Sequence, residues 1–255
     1  MTMTDTDLER YARHIVLKEI GGAGQARLRS ADVAVIGAGG IGSPAILYLA
    51  AAGVGTIRVI DDDHVSLSNL QRQVIFDTAD IGQAKPEAAM AAIRRLNPGV
   101  KLVPINARID ADNAALMLRD ADVVLDGSDS FSTRLAVADA AQRLRIPLVS
   151  AAVGSFEGQL STYRGWEDDK PCYRCLVGEA EDAPERNCAE TGVIGALTGV
   201  MGSLAALEVI REIVPFGEGM AGRLLVADLL SMRFRTIALP KDPACSTCAR
   251  QLCEN

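Results

Sequence analysis

The chain has 255 residues, a formal net charge of −7 and hydrophobic side chains at 49% of its positions. That length suffices for one α/β domain with a large core, and the hydrophobic content excludes a disordered chain. The negative charge argues against general nucleic-acid binding, because phosphate backbones are bound by basic surfaces.

Neither the N-terminus nor any apolar segment predicts export or membrane insertion. Residues 1–10 are acidic and polar rather than cationic and then apolar, and the longest apolar stretch, 193–207, ends before the roughly 18 residues that indicate a membrane span. We therefore expect a cytoplasmic protein without membrane contact. In a reducing compartment its six cysteines are more often metal ligands or catalytic groups than disulfides.

In chain order, residues 7–30 contain two short helical patterns, and strand and helix patterns then alternate up to residue 165. Strands are predicted at 33–36, 57–61, 102–106, 123–126, 148–151 and 159–163, and the helices between them at 43–52, 83–96, 110–118 and 131–143. Near-continuous apolar strands that alternate with helices predict a Rossmann-like, doubly wound α/β sheet, mostly parallel and covered on both faces. Ligands bind such sheets beyond the carboxyl ends of the parallel strands.

The segment 33–52 predicts a strand, a tight turn and a helix around three spaced glycines. Gly37, Gly39 and Gly42 fit the G-x-G-x-x-G spacing, which permits the turn, backbone contact with a phosphate and close packing of the helix on the strand. The helix is predicted to start at about Ser43, so that its free N–H groups face an anion. This pattern predicts a nucleotide site without identifying the nucleotide.

Polar residues follow the second predicted strand, where a nucleotide would lie. The carboxylates of Asp61 and Asp63 can accept hydrogen bonds from ribose hydroxyls, and Asn69 and Arg72 can reach the phosphates. An ion pair of Arg72 with Asp77 or Asp80 is the alternative for that arginine.

Two further charged residues lie at element boundaries. Lys85 opens the third predicted helix, where a helix N-terminus already favours an anion, although it could also be a solvated surface lysine. Asp129 follows the strand at 123–126, and a carboxylate beside phosphates predicts a bridging Mg²⁺. Asp129 could instead cap the next helix together with Ser128 or Ser130.

After residue 165 the sequence changes character. Residues 166–190 are polar with little apolar periodicity, which is typical of a long functional or mobile loop. A buried helix from residue 193 and strand patterns at 224–228 and 232–239 follow. We expect one domain in three parts: a nucleotide-binding half (7–165), a mobile crossover loop (166–190), and a C-terminal part (191–250) whose antiparallel strands extend the sheet.

Four cysteines form two CxxC pairs about 70 residues apart, Cys172 with Cys175 and Cys245 with Cys248. Two such pairs can supply the four thiolates of a closed, structural Zn²⁺ site, which leaves no open position for catalysis. An iron–sulfur cluster and unligated thiols are the alternatives. Zinc would tie the loop after the sheet to the C-terminal segment.

Cys188 stands apart, two residues after Arg186, a cation that would favour its thiolate. The residue is either a nucleophile or a small loop residue, whereas Cys253 is predicted to be incidental. His14 and His64 are the only histidines, which argues against Cys–His or Ser–His catalysis.

Together these residues resemble the ThiF/MoeB/HesA family, the bacterial relatives of ubiquitin-activating enzymes. The resemblance runs from Arg10 to Cys248. It rests on Arg10-Tyr11-x-Arg13, the glycine loop, Asp61-x-Asp63, the run Leu67-Ser68-Asn69-Leu70-Gln71-Arg72-Gln73, Lys85, Asp129 and both CxxC pairs.

The resemblance implies a site for ATP and Mg²⁺. Its nucleotide-binding residues would be Gly37, Gly39, Gly40, Gly42, Asp61, Asp63, Ser68, Asn69, Arg72, Lys85 and Asp129, and its catalytic residues Arg13, Arg72, Lys85, Asp129 and Cys188. Asp129 would hold Mg²⁺, and Arg13 would reach the ATP of a partner subunit, which implies a homodimer. The C-terminal Gly-Gly carboxylate of a ubiquitin-like sulfur carrier would attack the α-phosphate and release pyrophosphate.

Within the family the run Pro184-Glu185-Arg186-Asn187-Cys188 is more similar to ThiF, which activates the carrier ThiS in thiamine biosynthesis, than to MoeB, which serves molybdopterin synthesis. In ThiF the matching cysteine joins the carrier through a sulfur linkage. No rhodanese-like segment follows Cys248, so we expect a separate sulfur donor such as a cysteine desulfurase. Ser130 departs from the family, which commonly has Asn after the metal-binding Asp.

Two other functions remain open from the sequence. The glycine loop and Asp61 alone would allow an NAD-dependent oxidoreductase, although no hydride-transfer acid or base is evident. A non-catalytic ATP-binding scaffold that recognises a carrier is the other alternative.

Overall fold

The structure is a computed structural model of the chain, and it describes residues 3–178 and 192–249. The strands are β1 (Asp32–Ile36), β2 (Thr56–Ile60), β3 (Lys101–Ile105), β4 (Val123–Asp126), β5 (Leu148–Val153), β6 (Glu157–Tyr163), β7 (Arg223–Asp228) and β8 (Arg233–Ala238). The helices are α1 (Asp5–Arg10), α2 (Ala12–Ile15), α3 (Gly21–Ser30), α4 (Gly42–Ala52), α5 (Lys85–Leu96), α6 (Ala114–Leu118), α7 (Phe131–Leu144), α8 (Tyr173–Val177) and α9 (Gly195–Ile213), with 3₁₀ turns at Leu67–Asn69 and Thr78–Asp80.

All of these strands form one sheet in the order β3-β2-β1-β4-β5-β6-β7-β8. Strands β1 to β5 run parallel, and β6, β7 and β8 extend the sheet in antiparallel pairs. The prediction of a Rossmann-like sheet extended by antiparallel strands is therefore confirmed. The strand order reverses between β1 and β4, which is where such sheets bind ligands.

The sheet is covered on both faces, as its apolar strands predict. In β1 the side chains of Val33 and Val35 join one core with α4 and α9, and those of Ala34 and Ile36 join a second core with α6 and α7. Successive strand residues point to opposite faces, so an apolar run such as 33–36 serves two cores at once.

Two helices differ from their predicted bounds by more than two residues, for identifiable reasons. The helix expected at 110–118 begins only at Ala114, because the side chains of Asp110 and Asn113 bind each other's backbone N–H groups and close a turn. Helix α9 continues beyond the apolar stretch to Ile213, although this includes Glu208. That carboxylate is buried, pairs with Arg211 and accepts hydrogen bonds from Thr162 Oγ1 (3.1 Å) and the Met220 N–H (2.6 Å).

Among the described residues, no helix combines the length and the hydropathy needed to cross a bilayer.

The four predicted metal ligands converge. The sulfur atoms of Cys172, Cys175, Cys245 and Cys248 all lie within 4.8 Å of one another, with neighbouring separations of 3.5 to 3.8 Å. Four sulfurs placed about 2.3 Å from a tetrahedral zinc ion would be about 3.8 Å apart, so the arrangement fits zinc.

Burial would keep two of these thiols protonated unless a cation were bound. Burial raises the pKa of Cys172 and raises the pKa of Cys248 to about 12, so without a metal both thiols would hold their protons at neutral pH. The backbone N–H of Asp242 points at Cys175 Sγ at 3.5 Å, an outer contact that suits a thiolate ligand. A bound zinc ion would therefore displace protons and join α8 to the segment after β8.

We expect the protein to hold about one zinc ion per chain, and the Cys248→Ser variant to lose it. Since the metal would crosslink segments about 70 residues apart, the variant's thermal unfolding midpoint should fall by more than about 5 °C. Metal analysis and thermal unfolding test this. Cys253→Ser is the matched control and should keep both properties, while a Cys248→Ser variant that retains zinc and stability would contradict the assignment.

Candidate active site

A cavity of about 380 Å³ lies at the carboxyl ends of the parallel strands, at the reversal of strand order. Ile36 ends β1 and Ile60 ends β2, and both line the cavity together with Gly127, which follows β4. The fold alone places a ligand site here. Predicted site residues that line it are Gly37, Gly39, Gly40, Asp61, Asp63, Asn69, Arg72, Lys85 and Asp129.

Three glycines of the loop are required by the chain's own geometry. Gly37 has φ 85°, a left-handed conformation that side chains disfavour, and a Cβ at Gly42 would overlap the carbonyl oxygen of Gly37. A Cβ at Gly40 would lie 2.9 Å from Thr198 Cγ2 of α9. The helix therefore begins directly against the turn, at Gly42 rather than Ser43.

Gly39 differs from these three. The nearest atom to a Cβ at this position would be Gln73 Nε2, 4.0 Å away, so no neighbour within the described chain forbids a side chain there. The free space opens onto the cavity, at the start of α4, where unpaired N–H groups favour an anion. Gly39 thus leaves room for a ligand to approach the backbone.

Asp61 fastens the glycine loop to the end of β2. Its carboxylate accepts hydrogen bonds from the N–H groups of Ala38 (2.7 Å) and Asp63 (2.9 Å). Burial nevertheless raises the pKa of Asp61, against the opposing charge of Lys85. The sequence predicts this residue as a ribose acceptor, and the structure adds the role of shaping the loop.

Lys85 is buried rather than solvated, so the surface-lysine alternative is wrong. Its Nζ lies 2.8 Å from Asp63 Oδ2, and the two side chains are 5% and 71% exposed. Its backbone N–H also donates to the Asp63 carbonyl at 3.0 Å. Lys85 is the first residue of α5, two residues after the predicted start of this helix at 83, and Pro86 follows it. The pair thus holds a desolvated ammonium group at the cavity wall.

Asp129 is not a helix cap, because Ser130 caps α7 by accepting a hydrogen bond from the Thr133 N–H. In the described ranges no hydrogen bond or ion pair holds the exposed Asp129 carboxylate, which lines the cavity. A free carboxylate at a cavity that would hold phosphates fits Mg²⁺, which binds one or two carboxylates plus phosphate oxygens.

Arg72 also lacks the alternative partners considered for it. Its guanidinium donates to the Ser68 carbonyl at 3.0 Å. Asp77 and Asp80 are instead engaged with each other's backbone in the cap of a 3₁₀ turn. The arginine is therefore available at the cavity, while Ser68 itself lies outside the lining.

Among the buried residues of the lining, sequence reasoning missed Arg134. Arg134 of α7 donates to Ser150 Oγ (3.1 Å), to the Ala151 carbonyl (2.8 Å) and to the Ser128 carbonyl. The sequence contained one signal for this residue: Arg134 lies within an apolar helix, about one turn after the loop that carries Asp129.

Arg13 does not reach the cavity of its own chain. Its neighbour His14 binds Gln25, whose amide donates to the Ala52 carbonyl, so α2 lies at the C-terminal end of α4. The cavity lies at the other end of this helix, about 16 Å away by helix rise. Cys188 lies outside the described residues.

Comparison with known proteins gives a consistent result. The ThiF family matches residues 11–247. The chain is 45% identical to the SAMP-activating enzyme E1 of Haloferax volcanii, over 97% of this chain and 91% of that protein. It is 40% identical to the sulfur carrier protein adenylyltransferase of Thermus thermophilus, over 97% and 93% of the two chains. It is 43% identical to a probable adenylyltransferase/sulfurtransferase MoeZ of Mycobacterium tuberculosis, of which it spans 62%.

Among solved structures, Escherichia coli MccB superimposes with a TM-score of 0.82 at 23% identity, over 94% of this chain and 72% of that one. This likeness supports the fold. The relatives in turn confirm the predicted class of enzyme, an adenylyltransferase, and none of those named here is an NAD-dependent oxidoreductase. On the match over residues 11–247 and these identities, the chain belongs to the ThiF family.

Proposed function

We propose that the protein transfers AMP from ATP to the C-terminal carboxylate of a ubiquitin-like sulfur carrier that ends in Gly-Gly, of the ThiS type. Names of its relatives support this substrate class, since they include a sulfur carrier protein adenylyltransferase and a SAMP-activating enzyme. The second candidate substrate is a carrier of the kind that MoeB activates, the small subunit of molybdopterin synthase. The likeness to MoeZ favours this candidate.

The observation that carries the proposal is the convergence of charges on one cavity. An acidic chain presents Lys85 and Arg72 around Gly39, with the carboxylate of Asp129 at the same cavity. Two cations and an open backbone suit the phosphates of ATP, and the carboxylate suits their metal ion.

The reaction needs positioning and charge neutralisation more than proton transfer. A carboxylate oxygen of the carrier forms a bond to the α-phosphorus, the bond from that phosphorus to the bridging oxygen breaks, and pyrophosphate leaves. Lys85 and Arg72 would neutralise charge on the phosphates. Asp129 would hold Mg²⁺, which supplies further neutralisation. The nucleophile is already ionised, so no general base is required.

The pair of Lys85 with Asp63 fits this scheme. Asp63 is exposed whereas Lys85 is buried, so the carboxylate can keep its hydration while it fixes the direction of the ammonium group. We infer that Asp63 orients Lys85 toward the cavity before ATP binds, which lowers the cost of ordering this side chain.

Carrier-dependent exchange of labelled pyrophosphate into ATP tests the assignment. Lys85→Ala and Asp129→Ala should each lower the rate at least about a hundredfold, because each removes charge stabilisation at the reacting phosphates. Lys101→Ala, which removes an exposed lysine of β3, is the matched control and should retain the wild-type rate. Exchange retained in both site variants would refute the proposed roles, and no exchange in the wild type would favour the scaffold alternative.

We also propose a homodimer in which Arg13 serves the partner's ATP. The distance of Arg13 from its own cavity supports this arrangement. So does an apolar groove between α4 and α9, where Tyr48, Val74, Val200 and Leu207 are exposed. Apolar surface of this kind is typical of protein interfaces.

Mixing two inactive variants tests the exchange of Arg13. Arg13→Ala and Lys85→Ala should each be inactive alone, whereas a re-equilibrated mixture should regain about a quarter of wild-type exchange, because half of the dimers would contain one intact site. Light scattering checks that both variants are dimers. Dimers that mix without any recovery would argue against the role in trans.

For the later sulfur transfer we propose that Cys188 joins the activated carrier through a sulfur linkage: its thiolate attacks the acyl-adenylate carbonyl, a thioester bond forms and AMP leaves. A persulfide from a separate donor, such as a cysteine desulfurase, would then displace Cys188. The neighbouring Arg186, which would favour a thiolate, supports this role.

Mass spectrometry of the enzyme incubated with the carrier and Mg-ATP should reveal a covalent adduct at Cys188. The adduct should be absent in Cys188→Ser and retained in the control Cys253→Ser. The role fails if the wild type forms no adduct and Cys188→Ser still supports sulfur transfer. Comparing exchange with ThiS-like and MoeB-type carriers separates the two candidate substrates.

A further inference from the structure

The segment that carries the first two metal ligands is fixed to α7, the helix that follows the Asp129 loop. Arg174 lies between Cys172 and Cys175, and its guanidinium donates to both carboxylate oxygens of Asp139 at 2.9 and 2.8 Å. Such a two-point contact fixes orientation as well as distance, and both side chains are largely shielded from solvent. This ion pair therefore attaches the cysteine segment to the middle of α7.

A second contact reaches the nucleotide cavity itself. Tyr173 is buried beside Cys172, and its ring meets that of Tyr163 edge-on at 5.3 Å. Burial raises the pKa of Tyr173, and the positive charge of the neighbouring Arg134 opposes this rise. Arg134 lines the cavity, so only one side chain separates the tyrosine from the site.

Arg134 in turn holds the loop that carries Asp129. It donates to the Ser128 carbonyl, one residue before Asp129, and to the Ala151 carbonyl and Ser150 Oγ in the middle of β5. Displacement of Arg134 would release the loop from β5. The position of the Asp129 carboxylate thus depends on Arg134, a buried cation that lies near Tyr173.

From these contacts we propose that the cysteine metal centre positions the nucleotide site, with Tyr173 as the positioning residue that acts through Arg134, and that metal retention and nucleotide binding are coupled. This rests on the proposed use of Mg-ATP. Coupling between two sites is reciprocal, so the nucleotide must stabilise the bound zinc as much as zinc favours the nucleotide.

Zinc release from the intact protein tests the coupling without measuring activity. The zinc-loaded enzyme is placed in excess chelator with a chromogenic readout, with and without a saturating, non-hydrolysable Mg-ATP analogue. The nucleotide should slow zinc release from the wild type by at least about fivefold. In Tyr173→Phe, which keeps the ring but loses the hydroxyl, zinc content should remain that of the wild type while the nucleotide effect disappears.

Two further variants complete the design. Tyr163→Phe removes a hydroxyl from the same ring pair without touching the Tyr173–Arg134 contact, and it should retain the nucleotide effect. Asp139→Asn breaks the ion pair with Arg174 and should reduce the effect, which gives a second test if Tyr173→Phe does not fold.

The outcomes are distinct. A wild-type protein that binds the analogue but releases zinc at an unchanged rate overturns the coupling, and an undiminished effect in both Tyr173→Phe and Asp139→Asn overturns the proposed route. Failure of the wild type to bind the analogue would instead contradict the proposed function.

Discussion

The close approach of α4 to the turn after β1 is the constraint on which the site depends. Helix α4 can begin under the turn only because Gly42 leaves space for the Gly37 carbonyl oxygen, and Asp61 then fastens the turn to β2. Because the turn lies close against α4 and β2, the N-terminus of α4 faces the cavity instead of the solvent. An anion there meets backbone N–H groups and the positive end of the helix dipole without any charged side chain.

Charged side chains add to this backbone site with little loss of conformational entropy, because neighbouring residues already hold each of them in place. Lys85 is buried at the start of α5 and directed by Asp63, and Arg134 is buried beneath the loop that carries Asp129. The acidic surface of the chain therefore does not prevent phosphate binding, since the field at the cavity is set by the nearest groups. Support of functional side chains by buried neighbours is what holds such a site within reacting distance.

The same dependence on support extends to the cysteine cluster. Its four sulfurs lie far apart in sequence, and its first pair lies next to two residues that contact α7. A structural metal is usually assigned to stability alone, yet here Arg174, which lies between its ligands, is paired with Asp139 of α7, the helix that follows the Asp129 loop. The same contacts would then stabilise the C-terminal part of the chain and fix the geometry of the nucleotide site.

The sequence by itself determined the sheet, the glycine loop, the polar residues at the strand ends and the two CxxC pairs, because periodicity and spacing are local properties of the chain. It did not determine that Lys85 is buried against Asp63, that Asp110 and Asn113 shorten α6, or that Glu208 continues α9, since each depends on partners supplied by folding. Arg134 was missed for the same reason, as its partners Ser128 and Ala151 come from other elements. Only the tertiary structure decided which charges share one cavity and that Arg13 lies at the far end of α4 from it, because those relations are set by packing across the sheet.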